Sequence, residues 1–289
     1  MKWIKRLFIF LLVMTLGGLA FIATSYWLSR RNPTWYKPLA LNSREMEAAA
    51  HRAFNKVVAI HNMADKAAAS DTSKQWRQEH GAATLPAVEP VTITFTQDEL
   101  TAFIAHWTKL NSDRVDRYMT GPQFVLEEGQ IKFACRITKL DQIGVLRIEP
   151  SIDEKGMLHL EIVSISAGSL PVPEAMIEKR LNKAESDLQQ WIPDWQRRAT
   201  INSEGANSDA VKAAMSKLLL HAMHHQPSSA VLFMPIDSHK TVPMKLTKVI
   251  VGQGNITLTV DPLTDEDRKI ALQTLREPID VATAATTNR

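Results

Sequence analysis

An α+β protein carried on one membrane-spanning segment is the fold class this sequence predicts. The expectation is a single N-terminal transmembrane helix, then a curved antiparallel sheet with helices packed on one face. Three observations predict it. Leu7 to Leu28 are 22 consecutive uncharged positions, enough to cross a ~30 Å hydrocarbon core. Ile131, Phe133, Cys135 and Ile137 recur at every second position, as do Leu158, Leu160 and Ile162, which is the period of strands with one buried face. Between such runs stand segments opened by helix-capping residues, Ser43 and Thr96 among them.

The uncharged run is flanked by Lys2, Lys5 and Arg6 before it and by Tyr26, Trp27, Arg30 and Arg31 after it, residues suited to two headgroup regions. It exceeds the apolar core of a cleaved leader, although Ala23-Thr24-Ser25 offers a small-residue cleavage pattern. A retained signal-anchor is the expectation. Basic residues on both sides weaken the positive-inside signal. A short N-terminal tail favours that tail inside, so the expected place is the inner (cytoplasmic) membrane, with the domain on the extracytoplasmic side.

About 260 residues follow the run, enough for one large domain or two small ones. Net charge is +3, and no dense basic stripe marks the body, which disfavours nucleic acid as a partner. The single cysteine, Cys135, excludes an intramolecular disulfide and a multi-cysteine metal site. Its alternating setting makes it a small buried hydrophobe.

The elements follow in order. Residues 32–42 hold Pro33, Trp35, Tyr36 and Pro38, a stiff exit with aromatic residues for the membrane interface. A helix runs from Ser43 to about Ala69, with Met46, Ala50, Phe54, Val57, Val58, Ile60 and Met63 as its apolar stripe. Residues 70–91 are polar, contain Pro86 and Pro90, and read as a linker. Val91 to Phe95 is a strand. Thr96-Gln97-Asp98-Glu99 is a capping-box pattern that opens a helix through Leu100, Phe103, Ile104 and Trp107. Strands at 124–126 and 131–137 flank the Glu128-Gly129 turn, and a further pair flanks Glu154-Lys155-Gly156. Gly168 to Pro173 breaks the sheet, and a helix follows to about Trp191–Pro193. A second helix spans 208–225. Strands at 230–236, 242–251 and 256–260 lead to a short helix capped by Thr264. The expected organisation is an anchor over 1–31, a neck, long helix and linker over 32–91, an α+β domain over 92–275, and a disordered tail over 276–289.

The stretch Thr92-Ile-Thr-Phe-Thr-Gln-Asp-Glu-Leu-Thr-Ala-Phe103, a strand running into a helix with an acidic capping residue, resembles the start of the YpmS-like family. The G-x-L-P-x-P break at Gly168 to Pro173 is similar too. The resemblance covers residues 92–262. It implies a bacterial protein with one N-terminal span and an envelope-facing α+β domain. It carries no catalytic residue onto this chain, which departs from the family in its helices at 43–69 and 208–225.

Chemistry-bearing patterns are sparse. His221, His224 and His225 are the densest ligand-type cluster. On a helix, His221 and His225 would share a face, as a zinc pair requires, but no third ligand is spaced for it. Three histidines at a helix end, meeting the negative end of its dipole, account for the cluster. Asp98 and Glu99 belong to the capping box, and Glu127 and Glu128 to a solvated hairpin turn. No nucleophile elbow, Walker loop or dinucleotide fingerprint is present. Gly252-Gln253-Gly254 is a turn between strands, and Asn255-Ile256-Thr257 a sequon by pattern alone. Met215, Met223, Met234 and Met244 fit core packing, with an apolar groove for an acyl chain as the rival reading. No cofactor, metal or catalytic residue is expected. The expected function is a membrane-tethered, non-enzymatic envelope protein that binds a lipid or other apolar ligand. The alternatives are a scaffold docking a protein partner through the 43–69 helix, and a hydrolase.

Overall fold

The structure is a computed structural model that describes residues 32–36, 43–80, 89–110, 115–172, 174–202, 205–235 and 241–278. The expected span at 7–28, the cleavage pattern and residues 279–289 of the expected tail lie outside the described residues. Among the described residues, no helix is long and apolar enough to cross a membrane.

The chain order is α1 (Ser43–His80), β1 (Val91–Thr96), α2 (Gln97–Leu110), β2 (Met119–Glu127), β3 (Gln130–Ile137), β4 (Gln142–Ile152), β5 (Met157–Ala167), β6 (Leu170–Pro171), α3 (Glu174–Arg198), β7 (Ile201–Asn202), β8 (Gly205–Ala206), α4 (Ser208–Met223), β9 (Ser228–Ser229), β10 (Val231–Pro235), β11 (Thr241–Gly252), β12 (Asn255–Pro262) and α5 (Asp265–Arg276). The α+β class and the antiparallel pairing are as expected. The single sheet is not: the strands form two six-stranded sheets. One runs β1-β12-β11-β8-β7 with β10 also on β11. The other runs β2-β3-β4-β5-β6 with β9 also on β5. Alternation tells a strand which face is buried but not which strand lies beside it. Here β1 crosses the whole domain to pair with β12, Val91 opposite Val260 and Thr96 opposite Asn255.

The two sheets meet at their hairpin tips. The Gly254 N–H donates to Leu126 O (2.9 Å), the Gln97 N–H to Gly254 O (2.9 Å) and the Gly129 N–H to Val251 O (2.8 Å). Gly129 (φ 75°) and Gly254 (φ 76°) occupy the left-handed region, where a side chain would be strained. Beneath these ties lies the main core. Leu126 and Leu158 of the second sheet pack with Ile93, Phe95, Met244, Leu246, Val251, Ile256 and Val260 of the first. The helices do not cover one face alone. Helices α1 and α2 pack on each other, with α1 against the first sheet and α2 on β2, while α4 packs on β5 and β9 and against α3 and α5.

Helix α1 runs eleven residues past the expected end, through His80. The polar stretch Ser70 to His80 contains neither Pro nor Gly, and loss of apolar periodicity does not end a helix without a breaker. The expected linker is thus helical to residue 80; residues 81–88 are outside the described set. Helix α3 also passes its expected stop and carries Pro193 inside it. Ile192 just before the proline and Gln196 one turn after it are both buried, so the helix is packed on the domain on either side of the break in its hydrogen-bond ladder.

Residues 32–36 are docked on the domain rather than left for a membrane interface. Pro33 is buried, the Tyr36 hydroxyl donates to Gly121 O (2.7 Å), and Lys132 Nζ lies 5.9 Å from the Trp35 ring centre. Trp35 and Tyr36 cover Ala134, Ile143 and Val145. This corrects the one-faced reading of β3: Lys132 and Ala134 are buried, whereas Phe133, Cys135 and Ile137 are half-buried. Both faces of the strand are covered, one of them by the neck. Burial raises the Cys135 thiol pKa, which keeps it an unreactive thiol.

Candidate functional site: an apolar cleft between α4, α5 and β10

Helix α4 is fixed at its start by Asn207. The Asn207 Oδ1 accepts the Ala210 N–H (2.9 Å) and its Nδ2 donates to Arg198 O (2.7 Å), so one side chain caps α4 and holds the end of α3. Helix α5 opens with a full capping box, in which the Asp267 N–H donates to Thr264 Oγ1 (3.1 Å) and the Thr264 N–H to Asp267 Oδ2 (3.2 Å). Its last carbonyls are met from α4 and α3. Lys217 Nζ donates to Thr274 O (2.5 Å) and Glu277 O (2.7 Å), and Gln196 Nε2 to Leu275 O (2.7 Å). Lys217 is buried and holds carbonyl oxygens rather than a carboxylate. Burial lowers its pKa, with the Glu277 charge acting the other way.

Between these elements opens a cleft. Its walls are Ala214 and Leu218 of α4, Val231 and Phe233 of β10, and Ala271 and Leu275 of α5; Lys217 and His221 stand at its polar end. Burial, and then the Lys217 charge, hold the His221 ring below its ordinary pKa, so the imidazole is neutral near pH 7. His221 Nδ1 is buried without a hydrogen-bond partner among the described residues. The cleft volume is about 50 Å³, room for a few water-sized bodies. What distinguishes it is exposed apolar surface in or next to its lining. Met215 is 57% exposed, Leu219 48% and Ile270 55%. Val211, Met215, Leu219 and Met223 succeed one another at four-residue intervals, so α4 carries an apolar ridge on its outer side and buries Ala210, Ala213 and Leu220 on its inner side. A helix apolar on both sides is ordinarily buried on both.

The residues singled out in the sequence are accounted for as follows. Helix α4 ends at Met223, and His225 has left it with φ 54°, so His221 and His225 do not share a helical face. His224 Nε2 lies 3.3 Å from Glu185 Oε2 without hydrogen-bond alignment. Among the described residues, no group of three His, Cys, Asp or Glu side chains is placed to hold a metal ion. Glu99 forms the expected capping box, accepting the Thr96 N–H (2.9 Å) while its own N–H donates to Thr96 Oγ1 (3.3 Å). It also receives Lys56 Nζ at 2.6 Å and faces Arg52 Nε at 3.4 Å. Glu127 is not simply solvated: it pairs with the buried Lys132. Gly252 to Gly254 is the expected turn. Met244 is core, as the packing reading holds, but Met215 is exposed.

Sequence reasoning missed the ridge because its methionines read as core packing. The spacing Val211, Met215, Leu219, Met223 was its one available signal. No protein-family model matches the chain, and neither a curated protein nor a solved structure does.

Proposed function

We propose that this is a membrane-tethered binding protein, non-enzymatic in role, and that it takes the aliphatic chain of a lipid along the α4–α5–β10 cleft. The observation that carries the reading is an apolar cleft whose lining includes the exposed Met215, with the exposed Leu219 one turn along the same helix and the exposed Ile270 next in sequence to the lining Ala271. Contiguous exposed apolar surface beside a concavity marks a place where something apolar binds. The expected anchor makes a lipid the apolar ligand nearest to hand, and Lys217 and His221 add polar groups to the lining for its head. The small volume requires the walls to part. Met215 is unbranched and exposed, the kind of side chain that repacks at low cost. The YpmS-like resemblance and the extracytoplasmic placement belong to the same proposal.

Docking of a protein through α1 finds less support. Of the stripe it requires, Met46, Ala50, Val57, Ile60 and Met63 are packed on the protein's own core and Val58 is half-buried. Among the described side chains, α1 leaves Phe54 as its exposed large apolar residue.

The test is titration of the full chain, held in an amphipathic polymer, with an environment-sensitive fluorescent fatty acid. Wild type binds saturably. Met215→Glu puts a charge on an exposed rim position, leaves thermal stability unchanged, and weakens binding about tenfold, the equivalent of ~1.4 kcal/mol. Equal binding by the two proteins removes the cleft from the account.

A further inference from the structure

A second cavity, of about 360 Å³, lies where the neck meets the domain, within the size range of ligand sites. Its apolar wall includes Met46 of α1, Ala105 of α2 and Pro122 of β2. The polar residues Thr101, Gln123 and Arg136 are among its lining. Gln123 is 8% exposed, yet its Oε1 is buried with no hydrogen-bond partner among the described residues. A buried amide oxygen left without a donor costs ~1–3 kcal/mol, so it wants an N–H or O–H from something that fills the cavity. Thr101, also buried, accepts the Phe124 N–H (3.0 Å) on its hydroxyl oxygen, which leaves its own proton to donate. Arg136 brings a guanidinium, with Nη1 donating to Asp141 Oδ1 at 2.7 Å and its other N–H groups still to place.

The cavity is built, not incidental. Gly121 takes φ 59° in its wall, and a Cβ there would come within 2.8 Å of the Tyr36 hydroxyl. That hydroxyl holds the neck shut against the Gly121 carbonyl. Asn32, the first described residue after the expected anchor, lines the opening.

We infer that this cavity binds a phosphodiester headgroup that carries its own hydrogen-bond donor. The phosphate meets Arg136 and the Thr101 hydroxyl, an ammonium or hydroxyl donates to Gln123 Oε1, and the adjoining carbons lie on Met46, Ala105 and Pro122. Ethanolamine and glycerol headgroups satisfy this chemistry. Choline does not, because its trimethylammonium has no N–H. A site built to pair a donor rejects the analogue that lacks it. The site is separate from the α4–α5 cleft and fails or stands independently of it.

The test is native mass spectrometry of the full chain released from nanodiscs of equal parts phosphatidylethanolamine and phosphatidylcholine. Wild type retains the ethanolamine lipid by about tenfold over the choline lipid. Arg136→Gln loses both. Gln123→Leu removes the orphaned acceptor, so it melts at or above the wild-type temperature while losing the preference. Added glycerophosphoethanolamine that displaces the lipid at millimolar concentration identifies a free phosphodiester as the natural ligand; retention against it identifies the bilayer lipid. Equal retention of the two lipids, no retention of either, or an unchanged preference in Gln123→Leu overturns the proposal.

Discussion

Leu126→Ala is expected to lower the free energy of unfolding by about 3 kcal/mol, within the range for a large-to-small change at a fully buried site. Leu126 is wholly buried and sits in a cluster that draws on both sheets. Its backbone is held twice as well: its carbonyl accepts the Gly254 N–H (2.9 Å) and its N–H donates to Gln97 Oε1 (3.1 Å). The surroundings therefore have little freedom to collapse into the cavity that alanine leaves. Because the cluster is shared, the loss is felt by the whole domain. Urea unfolding followed by circular dichroism and by tryptophan fluorescence remains one coincident transition with a lower midpoint. Two separated transitions, only one of them shifted, show that the sheets are independent units and contradict the shared core.

Glu99→Gln is expected to cost ~1–2 kcal/mol at pH 7. The carboxylate caps α2 and receives Lys56 and Arg52 from α1. Lys56 Nζ also donates to Thr94 O (2.7 Å) and lies 5.7 Å from the Phe95 ring centre. One residue thus ties α1, β1 and α2 together. A glutamine can still accept the Thr96 N–H, so the capping box is kept; what is lost is the charge, and removing one partner of a buried pair strands the other. Exposure of Lys56 and Arg52 to solvent moderates that loss. Burial of Glu99 raises its pKa, but the Lys56 and Thr96 hydrogen bonds and the nearby cations outweigh it, so the folded value lies below the ordinary one. The stabilisation is therefore fully present above the unfolded value of about 4.3 and is lost as pH falls through the lower folded value. Chemical unfolding at a series of pH values checks this: wild type and Glu99→Gln differ at pH 7 and converge in acid, as pH falls through the lowered folded value. A difference that persists undiminished into acid assigns the effect to packing instead.

What was legible in the sequence was what local chemistry decides. The Thr96–Glu99 and Thr264 caps, the Glu128-Gly129 and Glu154-Lys155-Gly156 turns, and the helix from Ser208 each rest on a few adjacent residues, and each is found. Partnerships across the chain were not legible. The pairing of β1 with β12 spans more than 160 residues, and no alternation pattern names a partner. The two-residue strands β6 to β9 have no period at all. The neck reads as membrane-interface sequence because Trp and Tyr suit that place; its docking on Ala134, Ile143 and Val145 depends on a strand face a hundred residues away. The sites escaped for related reasons. Met215 and Met244 look alike in sequence, and only the packing of α4 against α3 and β5 leaves one exposed and the other buried. Gln123 stands in a Gly-Pro-Gln-Phe stretch where the register of β2 shifts, and no local pattern marks its Oε1 as unpaired.

Hydrogen–deuterium exchange of the full chain, with and without a saturating long-chain fatty acid, tests the central claim most directly. Apolar-ligand binding in the cleft predicts slower exchange confined to residues 208–223 and 265–276 and the adjoining β10, absent in Met215→Glu. Unchanged exchange there, with the fatty acid either unbound or protecting another surface, contradicts it.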